Sequence, residues 1–356
     1  MARVLRPREA VRGMTPYAPP TGGRAGKLRL DFNENTVGCS PKVTAFLREK
    51  LNAESLAIYP EYAAARAELA AHFGVNEPEL LLTNGTDEAI QILVNTYVDA
   101  GDEVIILQPS YAMYRFYAEL AGARIRELQY RTGTLEFPLE ELLEMISEQT
   151  RVILISNPNN PTGTAIALEA IEQIAKRASS SAILIDEAYY EFCGMTALPL
   201  LARFPNLFVS RTFSKAHGMA GMRLGCLFSD EKNLNFVRKA QSPYSINLLA
   251  ALAARAAITD PAYLERYVAE ILAARERLCA GLTNLGIPFH GSAGNFVLIQ
   301  FGERASEVKD ALGAAGVLVR DRSHEMAGAV RVTVGTHAQI ERFLRELEPI
   351  WRSTHA

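Results

Sequence analysis

The sequence predicts an α/β protein with a mostly parallel central sheet, and three patterns support this prediction. Four short runs are rich in Val, Ile or Leu without alternating polar residues, which is typical of parallel strands buried on both faces. Helical patterns such as LEAIEQIAKRA (168–178) lie between the runs, and each run ends in a polar or glycine-proline cluster. Strands that alternate with helices indicate right-handed crossovers and a doubly wound layer.

The predicted strands place their polar clusters at one edge of the sheet. In chain order the four runs are EVIILQPSY (103–111), RVILISNPNNPTG (151–163), AILIDEAYYEF (182–192) and LFVSRTFSK (207–215). Ligands of open α/β sheets bind beyond the carboxyl ends of the strands. We therefore expect the four clusters to converge on one site.

The composition favours a globular protein whose partners are small molecules. A chain of 356 residues, 49% hydrophobic and 22% charged, is long enough for a large core and two domains. A net charge of −3 without a long basic run gives no electrostatic footprint for nucleic acid or an anionic membrane. We also expect neither a secretory signal nor a membrane span, because no stretch reaches roughly 18 apolar residues.

Several common cofactor and metal motifs do not occur in the sequence. The four cysteines show no CxxC spacing, which favours reduced thiols and a cytoplasmic location over disulfides or a zinc site. GGRAGKL (22–28) resembles a phosphate loop, but its glycines are one residue too close and Leu28 replaces the hydroxyl that would hold magnesium. We predict a flexible turn there. The absence of GxGxxG weakens a dinucleotide-binding hypothesis.

Asp186 ends the third apolar run, where a carboxylate is costly. Removing it from water costs several kcal/mol unless a cation or a hydrogen-bond donor compensates its charge. It could cap the next helix or pair with an arginine. Lys215 follows 29 residues later, about one strand-helix-strand unit, so the two side chains could reach one pocket.

Lys215 stands among small and apolar residues in RTFSKAHGMAGMRLG (211–225), whereas most lysines are solvated on the surface. In a dry pocket the pKa of its amine would fall, and the amine could form a Schiff base with an aldehyde. Pyridoxal 5′-phosphate is such an aldehyde, and it needs an acid for its ring nitrogen and a cradle for its phosphate. NGTDEA (84–89) opens a helix after an apolar strand, which suits either an anion site or a plain helix cap.

Six motifs in order carry a resemblance to a known family. NGTDEAI, QPSYAMY, SNPNNPTG, DEAYYEF, RTFSKAHGMAGMRLG and VRVTVGT resemble the fold-type-I pyridoxal-phosphate aminotransferases, and specifically their histidinol-phosphate aminotransferase branch. The resemblance implies a large domain with a mostly parallel sheet and a smaller C-terminal α/β domain. It also implies conversion of histidinol phosphate and 2-oxoglutarate to imidazole acetol phosphate and glutamate, in histidine biosynthesis.

The resemblance implies a role for each matching residue at the cofactor. Lys215 would form the covalent link and shuttle a proton, and Asp186 would keep the pyridine nitrogen protonated. The ring would contact Tyr111 by stacking, and its phenolic oxygen would accept hydrogen bonds from Asn160 and Tyr189. The phosphate would be surrounded by Thr86, Asp87, Thr212, Ser214 and Arg223.

Other matching residues concern the subunit partner and the substrate. Tyr59 in IYPEY would reach the phosphate of the neighbouring subunit's cofactor, which would make a homodimer necessary for activity. Arg331 would bind the substrate's anionic group, with Arg320 and Tyr17 as helpers. A guanidinium suits a carboxylate and a phosphate equally well, so these residues leave the donor open.

The sequence departs from the family at two places. Asn33 to Ser40 are NENTVGCS, with Thr36, Val37 and Cys39 in place of Pro, Tyr and Pro. In the family this segment lies near the substrate mouth, so aromatic or other amino acids stay open as donors. His217 replaces a Phe or Tyr, and we interpret this change as a packing variant.

The expected domain organisation follows from the resemblance. Residues 1–39 would form an N-terminal arm that joins the small domain, residues 40–245 the large cofactor domain, and residues 246–356 the small domain. The cofactor motifs do not separate a transaminase from a lyase similar to threonine-phosphate decarboxylase. A pyridoxal-phosphate-binding regulator is disfavoured, since the chain has no room for a DNA-binding domain.

Overall fold

The computed structural model describes residues 5–16 and 22–353, and in them the chain forms two β-sheets with helices packed on them. The strands are β1 (Leu28–Leu30), β2 (Leu80–Thr83), β3 (Glu103–Gln108), β4 (Arg124–Gln129), β5 (Thr150–Ser156), β6 (Ala182–Asp186), β7 (Leu207–Thr212), β8 (Gly225–Phe228), β9 (Phe289–His290), β10 (Phe296–Gln300), β11 (Val317–Asp321) and β12 (Ala329–Thr333). The helices are α1 (Glu9–Arg12), α2 (Pro41–Lys50), α3 (Ala53–Ala57), α4 (Ala63–Phe73), α5 (Gly85–Tyr97), α6 (Ala112–Ala121), α7 (Leu139–Met145), α8 (Leu168–Arg177), α9 (Tyr190–Cys193), α10 (Glu231–Val237), α11 (Leu248–Ala257), α12 (Pro261–Asn284), α13 (Ala305–Ala314) and α14 (His337–Arg352).

The large sheet has seven strands in the order β2-β8-β7-β6-β5-β3-β4. Neighbours from β7 to β4 pair in parallel, and β8 is antiparallel to both β2 and β7. The four predicted runs form β3, β5, β6 and β7 at its centre. In β6, Ile183 and Ile185 pack into one hydrophobic cluster and Leu184 into another, so both faces are covered and no alternation results. The predicted α/β class with a mostly parallel sheet is confirmed.

The small sheet joins the two ends of the chain. Its order is β1-β11-β12-β10-β9, and β1 pairs in parallel with β11 through Leu28 opposite Val317. The remaining pairs are antiparallel. Leu28 and Leu30 are buried in the same cluster as the inner faces of α12 and α14. The N-terminal segment is therefore anchored on the C-terminal sheet.

The helix α11 packs with the large sheet's helices. Its buried alanines share a hydrophobic cluster with Val43 and Leu47 of α2 and Leu69 of α4. The long helix α12 follows it and packs on α14 beside the small sheet. The domain boundaries predicted at residues 39/40 and 245/246 stay predictions. Across residues 5–16 and 22–353, no helix combines the length and hydropathy needed to cross a bilayer.

The central strands end at a common edge. The register aligns Ser156 of β5 with Asp186 of β6, and Asp186 with Ser210 of β7. The helix α5 begins at Gly85, directly after β2 and the single residue Asn84. The fold thus brings the ends of several strands and one helix N-terminus to the same side of the large sheet.

Candidate active site

A cavity of about 520 Å³ opens at the carboxyl edge of the central strands. Both sheets contribute to its wall, because the strands β11 and β12 of the small sheet carry arginines that line it. Twelve of the predicted site residues line this cavity: Thr86, Asp87, Tyr111, Asn160, Asp186, Tyr189, Thr212, Ser214, Lys215, Arg223, Arg320 and Arg331. The expected convergence of the strand-end clusters is therefore present in the fold.

Lys215 follows β7 and presents its amine to the cavity wall. Nζ donates a hydrogen bond of 3.0 Å to the carbonyl oxygen of Phe32. Burial, together with the charge of Arg331, lowers the pKa of Lys215 to about 8, although the charge of Glu34 opposes the shift. A neutral amine is accordingly accessible near physiological pH, which a nucleophilic or basic lysine requires.

Asp186 is buried at the end of β6 and held by two neutral donors. Its carboxylate accepts hydrogen bonds from Tyr114 Oη at 3.0 Å and from Ser210 Oγ at 2.8 Å. Burial raises the pKa of Asp186 to about 6 despite these bonds. None of the arginines in the described residues pairs with it, so its negative charge is free to meet a cationic group in the cavity.

The N-terminus of α5 is open to an anion. The side chain of the N-cap residue Asn84 accepts no hydrogen bond from the first turn, and the Glu88 carboxylate accepts one from the backbone N–H of Asn84 itself at 2.6 Å. Arg223 Nη2 and Tyr111 Oη both donate to the carboxylate of Asp87, at 3.1 and 2.7 Å. Free N–H groups and the positive end of the helix dipole favour a phosphate at this position.

Tyr189 and Asn160 connect the large sheet to the small one. Tyr189 Oη accepts a hydrogen bond of 3.0 Å from Asn33 Nδ2, and the Tyr189 ring packs edge-on against Phe296. The Oδ1 atom of Asn160 accepts a hydrogen bond from Arg331 Nη1. These contacts fix both side chains where the N-terminal segment and β12 meet the strand ends.

Arginines dominate the side of the cavity formed by the small sheet. Arg331 is buried, and among the described residues it bonds only to neutral oxygens, including the carbonyl of Asp31 at 2.7 Å. Burial lowers the pKa of Arg331 to about 10, and the charges of Arg322 and Arg320 contribute to the decrease. Arg320 makes no ion pair within the described chain and lies over the Phe32 ring, 5.5 Å from its centroid.

The predicted residue Tyr59 lies outside this cavity. Tyr59 is 73% exposed and stacks on Tyr244, with ring centroids 4.4 Å apart, and it does not line the cavity of its own chain. Tyr17 lies outside the described residues. The other site predictions concern residues that the cavity brings together, and their individual roles stay predictions.

The two departures from the family lie outside the cavity wall. Thr36 Oγ1 donates to Gln339 Oε1 at 2.6 Å, and Val37 is exposed to solvent. His217 is buried against Phe213, with ring centroids 4.6 Å apart. Burial lowers the pKa of His217 to about 3, so the ring is neutral. These contacts agree with a packing role for His217.

Comparison with known proteins identifies the family. A family model described as Aminotransferase class I and II matches residues 25–347. The chain belongs to this family.

Relatives and solved structures match the aminotransferase over nearly its full length. It is 35% identical to histidinol-phosphate aminotransferase from Geobacillus sp. (strain WCH70), covering 95% of this chain and 96% of the relative. It is 36% identical to that of Symbiobacterium thermophilum, covering 96% and 97%. Its fold is similar to the histidinol-phosphate aminotransferase of Sinorhizobium meliloti in complex with pyridoxal-5′-phosphate, with a TM-score of 0.89, 25% identity and 99% of each chain covered.

The cavity of the aminotransferase fits pyridoxal 5′-phosphate, and the predicted cofactor is confirmed by the family and the structural match. It offers a reactive amine at Lys215, a buried carboxylate at Asp186 and an uncapped helix N-terminus. The cradle also requires Gly85, whose φ is +71° and whose added Cβ would lie 2.5 Å from Arg223 Nη2. Its small-molecule partners are an amino donor and an amino acceptor.

Several residues of the aminotransferase's site were not foreseen. Tyr114 and Ser210 hold Asp186, and two patterns could have found them: Tyr114 lies in the first turn of the helix that follows Tyr111, and Ser210 is the cross-strand neighbour of Asp186. The sequence gives no comparable signal for Arg24, Glu34 or Arg322, which also line the cavity.

Proposed function

We propose that this aminotransferase moves the amino group of histidinol phosphate to 2-oxoglutarate and so forms imidazole acetol phosphate and glutamate. The curated relatives named above support this substrate pair. The structural observation that carries it is the arginine-rich donor end of the cavity. There, Arg320 and Arg331 have no carboxylate partner among the described residues, so two positive charges are available for one dianionic phosphate.

The neighbouring arginines support this count of charges. Arg24 pairs with Asp31 and Glu34, and Arg322 pairs with Glu325. Their charges are therefore compensated within the chain, whereas those of Arg320 and Arg331 are not. Each charge-assisted hydrogen bond is worth roughly 1.5–3 kcal/mol, and a phosphate can engage both guanidinium groups where a single carboxylate has fewer oxygens to offer.

Lys215 would act as the base and acid of the reaction. When bound, pyridoxal 5′-phosphate supplies an aldehyde that captures the donor's amine and a ring that accepts the electron pair released at the adjacent carbon. Lys215 Nζ would accept the proton from that carbon. With a pKa of about 8, roughly a tenth of the amine is neutral at pH 7, far more than for an ordinary lysine.

Asp186 would keep a proton on the ring nitrogen. Its carboxylate is buried and is oriented by Tyr114 and Ser210, so it does not need to be ordered during the reaction. A cationic pyridinium would offset the cost of burying this charge, a cost that is evident in the pKa of Asp186, which is raised to about 6 despite its two hydrogen bonds. The ion pair between Asp186 and the pyridinium would thus stabilise both the buried carboxylate and the electron-accepting form of the ring.

The remaining residues would hold the cofactor in place. Tyr111 would pack on the ring, and Asn160 and Tyr189 would contact its phenolic oxygen. The phosphate would lie at the N-terminus of α5 and be bound by Thr86, Asp87, Thr212, Ser214 and Arg223. In this proposal Thr86 and Asp87 act largely through their backbone N–H groups.

The test compares donors and removes the unpaired arginine. With 2-oxoglutarate as acceptor, we expect kcat/KM to be higher for histidinol phosphate than for phenylalanine or tyrosine. The Arg320→Ala variant should lower kcat/KM for histidinol phosphate by about tenfold or more and leave kcat/KM for the other two donors unchanged. Arg203→Ala, at an exposed ion pair with Glu172, is the matched control. A higher kcat/KM for phenylalanine in the wild type would contradict histidinol phosphate as the amino donor. Release of carbon dioxide without formation of glutamate would indicate a lyase.

A homodimer is part of the proposal, because Tyr59 lies in an exposed apolar patch. Leu56, Ile58, Tyr59 and Tyr244 expose between 54% and 73% of their surface. A second copy would cover these residues and bring Tyr59 to its cofactor phosphate. Mixed dimers of Tyr59→Phe and Lys215→Ala chains test this arrangement, since a shared site predicts a subunit-crossing pattern in cofactor affinity.

We also propose a cytoplasmic location and the three-part domain division. The four cysteines are free thiols, which suits a reducing compartment. The pairing of β1 with β11 supports an N-terminal arm that belongs to the small domain. Limited proteolysis near residues 39 and 245 would test the division, because cuts at other positions first would contradict it.

A further inference from the structure

Arg24 lies in the segment 22–28, for which the sequence predicted only a turn, yet it lines the same cavity as Lys215. Its guanidinium donates to both oxygens of Asp31, at 3.0 and 2.9 Å. It also donates to both oxygens of Glu34, at 3.3 and 2.6 Å. Only 16% of the Arg24 side chain is exposed, so these bonds are largely shielded from water. One side chain therefore clamps both ends of the loop 31–34.

The clamped loop supplies the backbone oxygens that hold two cations of the site. Phe32 O accepts the hydrogen bond from Lys215 Nζ at 3.0 Å. Asp31 O accepts the hydrogen bond from Arg331 Nη2 at 2.7 Å. The Arg24 guanidinium also lies 4.5 Å from the centroid of the Phe32 ring. Any rotation of this loop would consequently move the partners of Lys215 and Arg331 together.

We propose that Arg24 is a positioning residue: by binding Asp31 and Glu34 at once, it fixes the loop whose carbonyls orient Lys215 and Arg331. The inference goes beyond the cofactor and substrate contacts and rests on the proposed roles of Lys215 and Arg331. Its effect on the loop and on the Lys215 amine is, however, measurable in the cofactor-free protein without any substrate.

Arg24 also balances the charge that Lys215 experiences. The charged and titratable groups around the Lys215 amine are Arg331, Glu34, Arg223 and Asp87, together with Asp186 and the ring of Tyr189. Of these, Glu34 raises the pKa of Lys215. Arg24 offsets the charge of Glu34, so its removal leaves Glu34 and Asp31 unopposed and should raise the pKa of Lys215.

The experiment compares Arg24→Gln with wild type in the cofactor-free protein. Acylation of Lys215 by an amine-reactive ester is followed against pH by mass spectrometry, and amide exchange is followed over residues 31–34. We expect the acylation midpoint to rise by about one pH unit and loop exchange to accelerate by about tenfold. Unchanged values of both in a folded Arg24→Gln protein would overturn the proposal.

Two further variants separate charge from geometry. Arg24→Lys keeps the charge but cannot bond both carboxylates in a fork, so it should accelerate loop exchange with a smaller shift at Lys215. Arg66→Gln breaks an exposed bridge to Glu77 and should change neither value. If Arg66→Gln showed the same changes, they would result from a general loss of stability, and the positioning role of Arg24 would be overturned.

The variant Glu34→Gln tests the same proposal if Arg24→Gln does not fold. Glu34→Gln then removes one end of the clamp and one negative charge, so loop exchange should accelerate while the pKa of Lys215 falls. Unaltered exchange in that variant would overturn the clamp. If the aminotransferase proves to prefer another donor while these shifts occur, the substrate proposal fails and the role of Arg24 stands.

Discussion

Replacing Gly85 by alanine should weaken cofactor binding, whereas a matched glycine replacement elsewhere should cost similar stability without loss of affinity. Gly85 adopts a φ of +71°, which costs an alanine about 1–2 kcal/mol. The new Cβ would lie 2.5 Å from Arg223 Nη2 and 3.1 Å from its Cζ, so the guanidinium must leave this position. That displacement removes a donor from the proposed phosphate cradle.

The two energies differ in origin and can be separated. The Arg223–Asp87 pair is partly exposed, with 43% of the arginine side chain accessible, so its loss adds less than about 1 kcal/mol to the destabilisation. Loss of one charge-assisted bond to the cofactor phosphate is worth about 1.5–3 kcal/mol, or roughly 10- to 150-fold in Kd. Gly74 is the matched control, because its φ is +69° and nothing lies within 4 Å of an added Cβ.

The assay titrates cofactor-free Gly85→Ala, Gly74→Ala and wild type with pyridoxal 5′-phosphate and measures urea unfolding in parallel. We expect both variants to lose similar stability and only Gly85→Ala to lose affinity. Equal cofactor affinity in the two variants would refute the assignment of the cradle to the N-terminus of α5 and Arg223.

Three other predictions concern the buried site and its pH dependence. Asp186→Asn should retain the cofactor in absorbance titrations yet lose roughly two to three orders of magnitude in single-turnover rate, and an unchanged rate would contradict its role. The wild-type kcat should fall as the pH is lowered below about 8, because protonated Lys215 cannot accept a proton; a flat stopped-flow pH profile would exclude this base. His217→Phe should retain kcat. Because the pKa of His217 falls to about 3 in the fold, the unfolded chain binds more protons below pH 6.5 and wild-type stability declines there. Between pH 7 and 5.5 the free energy of unfolding, measured in urea, should therefore fall by about 1 kcal/mol more in the wild type than in His217→Phe. An equal pH dependence of the two proteins would contradict this prediction.

The sequence predicted the parts of the site that follow directly from strands. Asp186 and Lys215 end or follow apolar runs, and parallel strands necessarily bring such ends to one edge. The order of the six motifs predicted the family, and the family model and the structural match confirm it. These inferences depend on local patterns and on topology, both of which a single sequence contains.

The unforeseen residues depend on distant contacts. Arg24 bonds locally to Asp31 and Glu34, but the carbonyls of the same loop meet Lys215 and Arg331, which lie 183 and 300 positions away in the chain. The segment 33–40 departs from the family at Thr36, Val37 and Cys39, yet none of these residues lines the cavity. Side-chain direction in irregular segments is set by such tertiary contacts and has no periodic signal in the sequence.

Borohydride trapping of the holoenzyme tests the central claim most directly. Reduction followed by peptide mapping should place the phosphopyridoxyl label on Lys215, with no such label in Lys215→Ala. Addition of histidinol phosphate without an acceptor should abolish the label, because the cofactor then carries the donor's amino group, and 2-oxoglutarate should restore it. A label on another lysine, or a Lys215 label that does not respond to histidinol phosphate, would contradict the account.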